Sequence, residues 1–202
     1  MKLKVLSLCL LAVIFAVSMS ACSGKKVTRV NTDQAIDLSG NWNDTDSRLV
    51  SQQMIEETMS FPWWRIFTEK YGRRPVVIVG DVLNKTEEHI STETFIRDLE
   101  RNLLNSGNVT FVASRDQREA IREERADQAE NARASTVSQQ RNETGADFML
   151  KGQINSMFDS GSGTQLLVYQ VELEMINIET NEKVWIGQKQ IRKVVSRRRF
   201  RA

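Results

Sequence analysis

The chain has 202 residues and a formal net charge of +2, and it contains two cysteines and one histidine. This length is enough for one domain with a proper hydrophobic core. So few cysteines and histidines exclude a disulfide-rich scaffold and a cysteine–histidine metal cluster.

Residues 1–21 have the organisation of a bacterial signal peptide. Lys2 and Lys4 form a short positive region, and residues 5–17 are almost wholly apolar. That run is shorter than the roughly 20 residues that a membrane-spanning helix needs, but it suits a cleaved export signal. Residues 19–22, Met-Ser-Ala-Cys, resemble the lipobox, in which Cys22 is acylated and becomes the mature N-terminus. The sequence therefore predicts a lipoprotein attached through Cys22.

Two other interpretations of the N-terminus stay open: an ordinary signal peptide with an incidental Cys22, and an uncleaved anchor. If the lipobox functions, the mature domain has no free thiol, and hence no disulfide, thiolate nucleophile or cysteine metal site. Ser23 after the cysteine favours sorting to the outer membrane, on its periplasmic side. A protein exported there is not expected to bind nucleic acid.

Polar segments flank the expected domain on both sides. Residues 22–36 lack periodicity and predict a flexible tether, whose full extension is roughly 50 Å. Eight basic residues and no acid follow Glu182. The basic tail, residues 196–202, could contact anionic lipid headgroups, an acidic partner or acidic glycans. The alternative is a solubilising terminus. The candidate contacts are Arg197, Arg198, Arg199 and Arg201.

The domain is expected over residues 37–195, and its first part is helical. Turn-forming residues fill positions 37–47, and a helix is predicted from Thr45 or Asp46, as N-cap, to Met59. Its expected inward stripe is Leu49, Val50, Met54 and Thr58. Pro62 interrupts this helix, and a short second helix follows over residues 63–69. Adjacent Trp63 and Trp64 cannot easily both point inward, so they are candidate partner-binding residues as well as core residues.

Strands and helices alternate in the middle of the chain. The β-branched run 75–79 predicts a buried strand. Ser91 or Thr92 begins an amphipathic helix, and Gly107 occupies a left-handed C-terminal position. Residues 109–113 predict a second strand. Ser114 and Gln117 have the spacing of a capping box, which begins a long, charged and largely solvated helix.

The last third predicts an antiparallel meander over residues 146–156, 165–178 and 184–195. Alternation is clearest in the second strand, where Gln170, Glu172 and Glu174 lie opposite an apolar face. That face comprises Leu167, Tyr169, Val171, Leu173 and Met175. The expected fold class is α/β, an α+β sandwich with a mixed, largely antiparallel sheet and helices packed on it.

Residues typical of catalysis or cofactor binding are not evident. His89 follows Glu87 and Glu88, but consecutive residues rarely converge on one ion, so we interpret His89 as a solvated loop residue. Phosphate-binding loops, nucleophile elbows and paired metal-ligand motifs are lacking. The chain is therefore expected to be a binding module, not an enzyme, without cofactor or metal.

Four segments resemble the penicillin-binding protein activator LpoB family. They are Leu-Ser-Gly-Asn-Trp-Asn-Asp-Thr-Asp-Ser-Arg-Leu-Val at 38–50, Val-Ile-Val at 77–79 with Asn-Lys-Thr at 84–86, Gly-Ala-Asp-Phe-Met-Leu-Lys-Gly at 145–152, and Thr-Asn-Glu-Lys-Val-Trp-Ile-Gly at 180–187. Some of these patterns are shared loosely with curli-secretion lipoproteins and the N-terminal domain of TolB, which implies a fold of that type.

The resemblance implies an outer-membrane lipoprotein that binds a bifunctional class A penicillin-binding protein and activates peptidoglycan synthesis. Such an activator is expected to be monomeric. The alternative is a curli-secretion-like or other outer-membrane assembly lipoprotein that oligomerises. One departure is physical: the best-known members have a long proline-rich tether, whereas the segment before residue 37 here is short and contains no proline.

Overall fold

A five-stranded mixed sheet organises the domain, in the order β2-β1-β3-β4-β5. The strands are β1 (Val76–Asn84), β2 (Thr110–Phe111), β3 (Phe148–Gly161), β4 (Thr164–Asn177) and β5 (Lys183–Ser196). β1 runs parallel to β2 and β3, whereas β3, β4 and β5 form an antiparallel meander. The predicted mixed, largely antiparallel α/β fold is confirmed.

The computed structural model describes residues 28–31, 34, 36–161 and 163–196. The predicted signal peptide, Cys22 and the four arginines of the basic tail lie outside these residues. The chain divides into two compact units, Met1–Ala35 and Ile36–Ala202, and the sheet and its helices belong to the second. Within the described residues, no helix is long and apolar enough to cross a membrane.

In the part of the chain that the structure describes, the sheet is accompanied by four helices: α1 (Asp44–Ser60), α2 (Trp63–Tyr71), α3 (Thr92–Asn105) and α4 (Arg115–Asn131). α1 packs against α3 and β5, and α3 also contacts β1. Their apolar residues meet the inward face of the sheet, where the fully buried side chains of largest volume include Tyr169, Phe95, Met54, Leu99, Leu103 and Leu150. Burying one such aliphatic side chain contributes about 1.5–3 kcal/mol to the free energy of folding.

The start of α1 differs from its prediction. Asn43 is the N-cap, because its side-chain oxygen accepts a hydrogen bond from the Asp46 backbone N–H at 3.2 Å while the Asp46 carboxylate accepts from the Asn43 N–H at 3.0 Å. This reciprocal pair satisfies two donors, which neither Thr45 nor Asp46 alone would do as N-cap. Val50, Met54 and Thr58 are buried as predicted, whereas Leu49 is exposed and Ile55 is buried instead.

Strand lengths also depart from the sequence pattern. β1 continues past Val79 to Asn84, with a register shift between Val79 and Val82, because its polar end pairs with β3. The second strand shrinks to two residues, since its pairing with β1 is limited to Val76–Thr110 and Val77–Phe111. β3 extends to Gly161 because β4 pairs with it along its whole length.

The predicted solvation of α4 is confirmed. None of its side chains is buried, and the capping box of Ser114 and Gln117 forms as expected. Arg122 and Arg125 both bind the carboxylate of Glu143, in the segment that follows the helix. Because the Arg122 side chain is more than half exposed, solvent screens its pair with Glu143, and this pair contributes little to stability.

Gly152 provides a test of the β3–β4 packing. A Cβ atom at this position would clash with the backbone carbonyl oxygen of Glu172, which cannot move without disrupting the strand pairing. We expect Gly152→Ala to lower the free energy of unfolding by about 1–3 kcal/mol, as overpacking does in other cores. Gly145→Ala is the matched control, because nothing lies within 4 Å of the added methyl group. Equal urea-unfolding midpoints for the two variants would contradict this packing.

Candidate functional site

The segment before α1 is fastened to the end of the sheet by Lys193 of β5. The Lys193 ammonium donates to the Asp37 carboxylate at 2.8 Å, to the Asn41 carbonyl oxygen at 2.9 Å and to the Asp46 carboxylate at 2.5 Å. The side chains of Lys193 and Asp46 are 9% and 7% exposed. A buried charge needs such complete pairing, because removal from water costs several kcal/mol per ion.

The acids around Lys193 keep it protonated. Burial alone would lower the pKa of Lys193, but its hydrogen bonds to Asp37 and Asp46 outweigh this effect and raise the pKa. In return, the hydrogen bond from Lys193 lowers the pKa of the exposed Asp37 carboxyl, with help from Asn43. Asp46 also belongs to the α1 capping box, so one carboxylate joins the helix start to the last strand.

A second buried contact links the same segment to the loop after β1. The Tyr169 hydroxyl donates to one carboxylate oxygen of Glu88, and the other oxygen accepts from the Trp42 backbone N–H at 3.2 Å. Burial, followed by the hydrogen bond to Glu88 and then by the charge of that carboxylate, raises the pKa of Tyr169. The Trp42 ring packs edge-on against Phe95 and Tyr169, with centroid distances of 6.1 and 5.6 Å.

The loop after β1 is held in shape by its own polar side chains. The Asn84 side-chain oxygen accepts from the Thr86 N–H at 3.0 Å and from the Thr86 hydroxyl at 2.8 Å. The Asn84 amide donates to the Glu88 carbonyl oxygen at 2.8 Å. These bonds place the Glu88 side chain against Tyr169.

We define the N-terminal latch as Asp37, Trp42, Asp46, Glu88, Tyr169 and Lys193. It joins three of the motifs noted in the sequence: the segment 38–50, the loop 84–86 and the C-terminal strands. Within the latch, the carboxylates accept hydrogen bonds from groups of the protein itself. The arrangement fixes where the N-terminal segment enters the domain.

Gly40 allows this segment to lie close to the sheet. Its φ is +65°, and a Cβ atom would clash with the Val195 side chain. Glycine adopts such a conformation without steric cost. From the sequence, this region could be predicted only to be rich in turns. The pairing of Asp37 with Lys193 could not be predicted from neighbouring residues, because the two are 156 positions apart.

The acidic residues and the histidine that follow one another in the loop after β1 do not form a common site. His89 and Glu87 are exposed, whereas the Glu88 carboxylate is held in the latch. Among the described residues, no three potential metal ligands group together.

Trp63 and Trp64 have different environments. Trp63 is 5% exposed and packs against Phe148 at a centroid distance of 5.0 Å, with its indole N–H donating to the Thr58 carbonyl oxygen. The Trp63 side chain is therefore part of the hydrophobic core. Trp64 is half-buried, and the Arg65 guanidinium lies 5.6 Å from its ring centroid. A partner-binding role for Trp64 stays a prediction.

At the opposite end of the sheet, Asp147 fastens the start of β1. Its carboxylate accepts two hydrogen bonds from the Arg73 guanidinium, both at 2.7 Å, and one from the Val76 N–H at 2.8 Å. An open cleft of about 600 Å³ lies beside it, lined by Arg73, Arg74, Val76, Thr110, Thr144 and Gly145.

These features define the class of the protein: a mixed α/β domain whose N-terminal segment is fastened across one end of its sheet by buried polar contacts. The chain belongs to the peptidoglycan-synthase activator LpoB family, whose model matches residues 46–191. Members of this family are regulatory activators rather than enzymes. No curated protein sequence matches the chain significantly.

Several solved structures are similar to the chain. The LpoB C-terminal domain from Salmonella enterica is 17% identical with a TM-score of 0.43, and the match covers 72% of this chain and 98% of that one. The corresponding domain from Escherichia coli is 17% identical with a TM-score of 0.40 and the same coverage. Lipoprotein GNA1162 from Neisseria meningitidis is 14% identical with a TM-score of 0.39, over 59% and 83% of the two chains.

Removal of the Lys193 charge should destabilise the domain strongly. Lys193→Met leaves the buried Asp46 carboxylate without its cation, and we expect the free energy of unfolding to fall by about 3–5 kcal/mol. Lys183→Met is the matched control, because Lys183 is half-exposed where it pairs with Glu174, and it should lose at most about 1 kcal/mol. Chemical unfolding at neutral pH measures both. A loss for Lys193→Met as small as that of the control would contradict a buried latch.

From the environment of Asp147, we expect its carboxylate to stabilise the fold in a pH-dependent way. Burial would raise the pKa of Asp147, but the hydrogen bonds from Arg73 and Val76 lower it below the ordinary value. A lowered folded-state pKa stabilises the protein above the ordinary aspartate value of about 3.9, and this contribution is lost as the pH falls through the folded-state value.

Asp147→Asn should therefore cost about 1–3 kcal/mol near neutral pH, where the charge-assisted hydrogen bonds are intact. The difference from the wild-type chain should shrink towards about pH 2, where the wild-type carboxyl is also protonated. Unfolding free energies measured across this range test the expectation. A difference that stays constant with pH would show that the Asp147 charge does not stabilise the fold.

Proposed function

We propose that the chain is an outer-membrane lipoprotein, acylated at Cys22, that binds and activates a bifunctional class A penicillin-binding protein. The observation that carries this proposal is the match of residues 46–191 to the LpoB family of peptidoglycan-synthase activators. The lipobox-like residues 19–22 support the attachment to the membrane.

Activation of this kind is a linkage effect. An activator raises the activity of its partner by binding the active conformation more tightly than the inactive one. A tenfold preference shifts that equilibrium by about 1.4 kcal/mol. Such an effect requires a rigid binding surface, and it requires no catalytic residue in the activator.

We assign the docking surface to α2, around Trp64 and Tyr71. These residues are seven positions apart and lie on one flank of the helix. Cations accompany both rings: Arg65 lies 5.6 Å from the Trp64 centroid, and Lys70 lies 4.9 Å from the Tyr71 centroid. Tryptophan, tyrosine and arginine dominate the energetics of protein interfaces. Trp63 and Phe67 anchor the helix in the core, so the surface is presented on a rigid element.

The length of the tether limits where the partner can be. Residues 22–36 extend at most roughly 50 Å, and they contain no proline to stiffen them. A synthase therefore meets the domain only if the envelope is thin or the synthase projects towards the outer membrane; otherwise the role of the chain differs.

Substitution of the half-buried Trp64 and the exposed Tyr71 tests this assignment. We expect Trp64→Ala and Tyr71→Ala each to weaken binding to the cell's own class A penicillin-binding protein by roughly thirtyfold, which corresponds to the loss of a hot-spot residue. Leu104→Ala on α3 is the matched control, because it truncates another exposed apolar side chain on a different helix. Affinities for the immobilised synthase measure the effect, and circular dichroism verifies that the variants fold.

The outcomes separate the docking surface from the function. Wild-type affinity for both variants would overturn the assignment to α2 but leave the proposed function standing. Absence of binding by the wild-type chain would overturn the function. A multimeric mass without synthase binding would instead favour the assembly-lipoprotein alternative.

A further inference from the structure

β5 is an edge strand of the sheet. Of the strands that the structure describes, β4 alone pairs with it, in an unbroken register from Trp185 to Ser196. In an antiparallel pair, every second residue directs its N–H and C=O groups away from the neighbouring strand. One long side of β5 therefore presents backbone donors and acceptors that β4 does not use. The opposite edge of the sheet, β2, is only two residues long.

The contacts of the N-terminal segment leave most of this edge uncovered. Lys193 binds the Asn41 carbonyl oxygen, and Gly40 lies against Val195, both near the end of β5. We define the open edge as residues 186–192, which precede these contacts. In the part of the chain that the structure describes, no backbone hydrogen bond joins the open edge to anything other than β4.

Charge is the protection that the open edge has. Proteins commonly protect edge strands by shortening, bulging or covering them, or by placing proline or charged residues there. The open edge contains no proline and no register shift. It carries Lys189 and Arg192, whose cross-strand neighbours are Val171 and Val168. Within residues 36–161 and 163–196, neither of the two cationic side chains forms an ion pair or a hydrogen bond.

The two cations lie on opposite faces of the strand, because they are three positions apart. Lys189 is half-buried on the inner face, beside Ile191, which packs against the hydrophobic core. Arg192 is exposed on the outer face. A strand added beside β5 would therefore place acids against both cations only if its acids were also three positions apart. An apolar residue opposite Ile191 would extend the core.

A second copy of β5 does not fit this edge. The residues from Lys183 to Ser196 include four cations and no acid. No register of two copies can therefore place a cation opposite an acid, whereas several registers place like charges opposite one another, which is destabilising. The terminal segments of the chain do not fit either: residues 22–36 contain three basic residues and one acid, and residues 197–202 contain no acid.

We propose that the open edge binds an extended acidic segment of another protein by strand addition. The segment lies antiparallel to β5 and forms hydrogen bonds with its outward N–H and C=O groups. Two acids, three positions apart, face Lys189 and Arg192. In complexes of this kind, main-chain hydrogen bonds provide affinity and alternate side chains provide specificity. The inference goes beyond the proposed function and does not depend on it, because the open edge is separate from α2.

A designed peptide can test this strand addition. The probe is Thr-Val-Thr-Glu-Val-Thr-Glu-Val-Thr with blocked termini, whose glutamates are three positions apart. We expect saturable binding to the full chain, which weakens in high salt because charges are screened. Amide hydrogen exchange should become slower at alternate residues of the open edge.

Two control peptides separate strand addition from simple attraction between charges. In the first, two adjacent prolines replace the central Val-Thr, and one of them must remove a hydrogen bond to β5. In the second, the glutamates are two positions apart and therefore lie on one face. Both should bind more weakly than the probe, although their charge is the same.

Substitutions in the chain identify the residues responsible. Lys189→Gln and Arg192→Gln should each weaken binding of the probe roughly threefold, as expected for the loss of a cross-strand pair of opposite charges. Arg115→Gln is the matched control, because it removes an exposed cation from α4, and it should leave the affinity unchanged. Circular dichroism verifies that the variants fold.

Four results would overturn the proposal. They are absence of saturable binding, equal affinity for the probe and the proline peptide, slower exchange only outside residues 186–192, and equal effects of the three substitutions. A dimer that protects the same amides without peptide would assign the edge to a second copy and would also overturn it. These measurements contain no synthase, so failure of this inference is distinguishable from failure of the proposed function.

Discussion

The buried ammonium group of Lys193 determines how the first segment of the domain is held against its last strand. It binds Asp37, Asn41 and Asp46 together, so the segment before α1, the start of α1 and the end of β5 form one corner of the domain. Glu88 and Tyr169 extend this corner to the loop after β1. Since a buried cation must keep its acids, the segment before α1 cannot shift without destabilising the sheet.

This corner lies at one end of β3, so the length of the strand sets its distance from the features at the other end. At one end of the strand lies the N-terminal latch; at the other, Phe148 packs against α2 and Asp147 binds Arg73. The N-terminal latch and the proposed partner contact on α2 are thus separated by the length of the strand.

Local patterns predicted most of the elements. A few neighbouring residues were enough to predict the alternation in β4, the capping box at Ser114 and the charged helix after it. The structure confirms all three. Contacts between distant positions were beyond those patterns: nothing near Lys193 indicates that Asp37 is its partner. The same limit explains the end of β1, where the pairing with β3 decides the strand length. Only the structure shows that, of the adjacent Trp63 and Trp64, the first is a core residue and the second is half-exposed.

The central claim is that this domain acts by contact on a peptidoglycan synthase. The most direct measurement is the rate of glycan-strand polymerisation by a purified class A penicillin-binding protein, followed while the wild-type chain is titrated in. The account predicts a rate that rises and then saturates as the synthase becomes fully bound. A rate that stays unchanged at saturating binding would contradict it.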